Sequence, residues 1–390
     1  MNIDNIRSDI LDYGEKIFVN SAGSSLMPHS VVEVIQEYLH QEEIYGGYKV
    51  EAMAAEALAD FYVLAARLLH CQPRNIAFAH DATDAYTKAL SSLDFQPGDL
   101  IITSDDDYAS NHIQFISLKK RYGIIIERIR NLDNGDLDIE HFERLIYRQH
   151  PRLVAITHVP TNSGKIQDVE AIGKICREKE IIFLVDACQS IGQLDVNVGE
   201  IQCDFLSATG RKFLRGPRGT GLLYVSDRML DSGYAPLFID GGGAVWKEEG
   251  SYEMIHSAQR FELWEAPYAL MIGMKEAIRY ALDVGLVNIQ DYNQELIQQL
   301  RSKMESIHGV TIYDQGSRKC NILTFRKSEK SIEELITSLE AQNVVCGLSQ
   351  RHWGLIDYGK KGIDGTVRLS PHYFNTLDEM DNLVQIIDAI

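Results

Sequence analysis

Several things are scarce in this chain, and each scarcity excludes something. Basic residues are outnumbered: 38 Lys and Arg against 56 Asp and Glu leave a formal charge of −18. That balance argues against a nucleic-acid partner, which draws on a basic face. Only six cysteines occur in 390 residues, at positions 71, 176, 188, 203, 320 and 346, and none forms a CxxC pair. Neither a disulfide framework nor a metal site is expected, and a reducing cytoplasm is the expected setting. No apolar run approaches the ~20 residues of a membrane span. The opening "MNIDNIRSDILDYGEKIF" is charged throughout, without the apolar core of a signal peptide. Repeats and low-complexity segments are missing as well. A soluble intracellular enzyme is the expectation.

What is present is alternation. "VVEVIQEYLHQEE" and "EAMAAEALADFYVLAARLLH" carry apolar residues at three- and four-residue spacing and read as helices. The short apolar runs "IAFAH", "DLIITS", "GIIIERI", "RLVAITHV", "IIFLVDAC" and "CDFLSA" follow, separated by amphipathic stretches. This pattern predicts an α/β fold, a mostly parallel sheet with helices on both faces. Beyond a long helix in "WEAPYALMIGMKEAIRYALDVG" the texture becomes α+β, with "NVVCGL" among its strands. Length alone suggests two domains. We divide the chain into residues 1–274, an N-terminal segment with the large domain, and 275–390, a smaller C-terminal domain.

Sheets of this kind bind ligands beyond the carboxyl ends of their strands, and four such ends carry polar clusters. In "AFAHDATDAYTKAL", Ala82 and Thr83 lie where a strand gives way to a helix, so free N–H groups there suit an anion. Asp81 or Thr83 as a plain helix cap is the alternative. In "IIFLVDACQS", Asp186 ends an apolar run, where a carboxylate is costly without a cationic partner. Gln189 follows within reach, and Cys188 reads as a packing residue. "HVPTNSGKI" offers Thr161 and Asn162 as polar groups facing a ligand. In "SATGRKFLRGPRGTG", Thr209 and Arg211 can hold an anion beside Lys212. Its glycines lack the Gly-Lys-Ser/Thr ending of a nucleotide P-loop. The alternative is a basic surface turn. One ligand accounts for the set: an aldehyde cofactor with a phosphate tail and a ring nitrogen, pyridoxal 5'-phosphate (PLP). It needs an anion cradle, a Schiff-base lysine and an acid.

In order, "NSAGSSLMP", "DATDAYTKAL", "DDDYASN", "HVPTNSG", "VDACQS", "SATGRKFLRGPRGTGLLYV", "QRFELWEAP" and "VRLSPHYFNT" resemble the class V aminotransferase family, PLP enzymes of fold type I. The resemblance implies that Lys212 holds the aldehyde and Asp186 the pyridine nitrogen. It implies that Gln189 bonds the ring hydroxyl, and that Ala82, Thr83, Thr209 and Arg211 hold the phosphate. Tyr108 takes the place of the aromatic residue stacked on the ring. Arg368 would clamp the substrate carboxylate, and Asn20, Ala22 and Gly23 would close over it. "DGGGAVW", with Gly242, resembles the loop that a neighbouring subunit lends to the site, so a homodimer is expected.

"GRKFLRGPRG" and "RFELWE" look most like hercynylcysteine sulfoxide lyases and related C–S lyases, near the isopenicillin N epimerase-like branch. The stretch "NVVCGLSQRHWGLIDYGKKG" has no cysteine in its loop, which speaks against desulfurase chemistry. The expected activity is therefore a C–S β-lyase that releases pyruvate and ammonia from an S-substituted cysteine or its sulfoxide. An epimerase or an aminotransferase is the alternative, with a cysteine desulfurase ranked behind them.

Overall fold

The computed structural model describes residues 1–390. Its centre is a seven-stranded sheet assembled from the apolar runs noted above. After a short β1 (Ile17–Phe18), the strands are β2 (Ile76–Ala79), β3 (Leu100–Ser104), β4 (Ile125–Ile129) and β5 (Leu153–Thr157). β6 (Phe183–Asp186), β7 (Phe205–Thr209) and β8 (Gly221–Val225) complete it. The spatial order is β2-β8-β7-β6-β5-β3-β4. Every neighbouring pair from β4 to β7 is parallel, and β8 alone runs against both of its neighbours. Strands β5 to β8 are buried along their whole length, which is why they read as unbroken apolar runs rather than alternating ones. Fold type I is the architecture found.

Helices cover both faces, and two hydrophobic cores result, one on each side of the sheet. The long helix expected after Trp264 spans Tyr268–Val284, with Pro267 standing just before it. It packs against the helices His29–Tyr45 and Ala55–Leu69. The second of these was expected to be continuous from Glu51 but is interrupted at Ala54.

A hairpin, β9 (Ala244–Glu248) and β10 (Ser251–Met254), projects with most of its residues exposed. The C-terminal part holds β11 (Val310–Ile312), β12 (Leu323–Lys327), β13 (Val344–Val345), β14 (Gly347–Gln350) and β15 (Gly365–Leu369). Four of them form an antiparallel sheet in the order β11-β12-β15-β14. "NVVCGL" is thus two strands rather than one: β13 leaves to pair with β1, and Cys346 marks the change. The N-terminal segment, grouped above with the large domain, divides its packing. Ile6, Ile10 and Tyr13 join the large core, whereas Ile17 and Val19 join the core of the small sheet.

Candidate active site

The carboxyl ends of β2, β3, β5, β6 and β7 open onto one cavity of about 340 Å³. At one end, Asp81 caps the helix Ala82–Ser91 by accepting from Asp84 N. The capping alternative is therefore correct, but it complements the anion cradle. The first-turn N–H groups of Ala82 and Thr83 have no partner within the helix and border the cavity. Gly221 is needed behind them, because a Cβ there would lie 2.7 Å from the Asp81 carbonyl carbon and 3.0 Å from Ala82 N. Thr209 and Arg211 border the same end, though the Thr209 hydroxyl donates to Thr220 O at 3.1 Å. Arg211 also donates to Gly23 O, tying the N-terminal segment across the opening.

Asp186 and Lys212 both face this cavity. Asp186 ends β6, 3% exposed, and accepts from Cys188 N at 2.9 Å and from Asn111 Nδ2 at 3.1 Å. Burial is the main influence on its carboxyl and raises it above the ordinary range. A cationic ring nitrogen is the partner that offsets such a cost. Lys212 follows β7 and is 8% exposed. Burial lowers its amine below the ordinary lysine range, and the charges of Arg211 and Arg368 add to this, while Cys188 and Asp186 oppose it. A neutral amine is what attack on an aldehyde requires.

Gln189 Nε2 donates to Ala22 O at 3.0 Å and to Thr161 Oγ1 at 3.1 Å. Arg368 donates to the same Thr161 hydroxyl at 2.7 Å and to Thr161 O at 3.0 Å. Burial lowers the Arg368 guanidinium to about 10. Three buried polar atoms meet no partner in this region: Gln189 Oε1, Asn20 Oδ1 and Arg368 Nε. Buried polar atoms are almost always paired, and a polar ligand in the cavity beside Gln189 would supply such a partner. Gly347 keeps the space open, since a Cβ there would sit 2.8 Å from Asn20 Oδ1 and 3.3 Å from Arg368 Nε.

Of the residues expected around the cofactor, Ala82, Thr83, Tyr108, Thr161, Asp186, Gln189, Thr209, Arg211 and Lys212 line the cavity together. Two do not. Asn162, in the turn after β5, instead donates to Asp357 at 2.8 Å. Gly242 lies in the loop before β9, where its N–H donates to Asp240 at 2.8 Å. A Cβ on Gly242 would meet Leu263 and Trp264 at 2.8 Å. Sequence reasoning missed Arg218 and Thr157, which also line the cavity, and Asp107 and Asn111 behind it. Arg218 belongs to a stretch already singled out, so its charge was a usable signal.

An acid and a lysine whose amine burial favours in the neutral form face one cavity, with free N–H groups at its end; they suit PLP, and with this sheet they define a fold type I enzyme. The chain belongs to the class V aminotransferase family, whose model ("Aminotransferase class-V") matches residues 17–383. A "Probable cysteine desulfurase" of Pyrococcus abyssi is 27% identical, over 99% of this chain and 97% of its own. One of Methanothermobacter thermautotrophicus is 26% identical, over 100% and 98%. Among solved structures, the apo cysteine desulfurase from Thermococcus onnurineus NA1 superposes with a TM-score of 0.92 at 27% identity, covering 100% of this chain and 98% of its own.

These matches overturn the expected C–S β-lyase. They also give no support to a placement near the hercynylcysteine sulfoxide lyases or the isopenicillin N epimerase-like branch. The lyase expectation rested on two short stretches, "GRKFLRGPRG" and "RFELWE", and on one missing loop cysteine. A single side chain says less about the bond broken than similarity running the length of the chain. No helix is long and apolar enough to cross a membrane.

Proposed function

We propose that this protein is a PLP-dependent cysteine desulfurase: it takes the sulfur from L-cysteine and leaves alanine. The observation that carries the reading is the end-to-end similarity to cysteine desulfurases at 26–27% identity. The bound cofactor supplies an electron sink for the substrate's Cα. The chain's own groups do the rest. Asp186 holds a proton on the ring nitrogen. Arg368, steadied by Thr161, binds the substrate carboxylate through its donors. Lys212, whose amine burial lowers below the ordinary lysine range, removes the Cα proton as general base. Tyr108 covers the cavity and excludes water.

The C–S bond breaks as a thiol acceptor attacks the substrate sulfur. The acceptor becomes a persulfide, and protons return to the carbon skeleton to give alanine. Segment 351–364 carries no cysteine, and burial pushes the Cys188 thiol well above its ordinary range, so a thiol from solution is the proposed acceptor. The exposed Phe238, Trp246 and Trp264 around Gly242 support a homodimer in which this loop reaches the partner's site. The six unpaired cysteines suit a reducing, cytoplasmic setting. With cysteine and a dithiol reductant, equal amounts of alanine and sulfide are expected; pyruvate in place of alanine would refute the desulfurase.

A further inference from the structure

Behind Asp186 lies a second carboxylate that no step above uses. Asp107, 2% exposed, follows β3 and accepts four kinds of donor. The Thr103 hydroxyl reaches it at 2.5 Å, Tyr108 N at 2.8 Å and Asn111 Nδ2 at 2.9 Å, and the Thr157 hydroxyl bonds it as well. The same Asn111 amide nitrogen donates to Asp186 at 3.1 Å. One side-chain N therefore bridges two buried carboxylates. Thr157 closes the arrangement, because it pairs with Asp186 across β5 and β6 and its hydroxyl also accepts from Tyr108 N at 3.1 Å.

We propose that Asp107 is a positioning residue. Through Asn111 it fixes the rotamer and charge environment of the acid that meets the cofactor's ring nitrogen, and through the Tyr108 N–H it sets the aromatic residue bordering the same cavity. Three consecutive aspartates leave β3, and their separate fates support a specific role for the third. Asp105 pairs with Lys360, and Asp106 with Lys165 at 2.5 Å, whereas Asp107 meets no cation. Its charge is met by hydroxyl and amide donors alone, so its field extends toward Asp186. In keeping with this, burial raises the Asp186 carboxyl and the Asp107 charge contributes in the same direction. A negative charge behind the acid strengthens its hold on a cationic ring.

The proposal rests on PLP as the cofactor, not on the fate of cysteine, so its test leaves the product assay untouched. Dissociation constants for PLP and for a deaza analogue, with carbon in place of the ring nitrogen, are measured on the apo form of wild type, Asn111→Ala and Asp107→Asn. Both variants should weaken PLP by about tenfold or more and leave the analogue within about twofold of wild type. Thr103→Val, isosteric and remote from the cavity, should shift the PLP-to-analogue ratio the same way by about threefold, and it decides the matter if the other two do not fold. Equal weakening of both ligands would mean a merely structural role and overturn the proposal, as would no weakening of either.

Discussion

Lys212 is buried beside two arginines, and its cost to the free protein is measurable. An unfolded lysine titrates near ~10.4, whereas the folded one titrates lower. Between those values the unfolded chain binds a proton that the fold does not, so apoprotein stability rises with pH across that window. Lys212→Met removes the buried amine. The variant is expected to be more stable than wild-type apoprotein by about 1–2 kcal/mol at neutral pH, with the gain shrinking as pH approaches ~10.4 and no cofactor band formed. Denaturant unfolding at several pH values checks this; an unstable variant at neutral pH would contradict it.

The same scale shows what the residues disclosed by themselves. Asp186 and Lys212 were legible because each is chemically out of place locally, an acid ending an apolar strand and a cation among glycines. Asn162 misled because Thr161 and Asn162 are equally polar, and only the position of Asp357, far along the chain, decides which one faces the cavity. Asp107 was hidden in "DDDY", since three like residues in a row do not reveal that each finds a different partner.

At the scale of elements, strands fully buried on both faces were readable as apolar runs, and the sheet follows from them. The short pieces were not. β1 and β13 are two residues each and exist through pairing with one another, which no local pattern signals. The β9–β10 hairpin is a further case, for its Trp246 is 78% exposed in the single chain and Phe238 before it 84%. Asp240 holds the base of this loop, accepting from Gly242 N at 2.8 Å and Trp264 N at 2.6 Å. Such a braced apolar surface suits a subunit contact. In the proposed homodimer, Trp246→Glu is expected to weaken association by about 2–4 kcal/mol and to shift sedimentation toward monomer. An unchanged dimer would remove the hairpin from the interface.

For the whole molecule, the cavity lies at the large sheet's strand ends, with the C-terminal part alongside. Arg368 on β15 reaches Thr161 after β5, and Lys360 reaches Asp105 after β3. The two parts are thereby clasped around the site. Alternation disclosed the α/β sheet, and the polar clusters at its strand ends, with the family resemblance, disclosed the cofactor. The bond broken was not legible, because leaving-group selectivity depends on loop shape rather than on the shared acid and lysine. The central claim is that one PLP ring lies between Asp186 and Lys212. Borohydride reduction of the yellow holoenzyme, followed by peptide mass mapping, tests it most directly. The account predicts a phosphopyridoxyl mass on Lys212 alone; a modification on another lysine, or a colourless protein that takes up no cofactor, would contradict it.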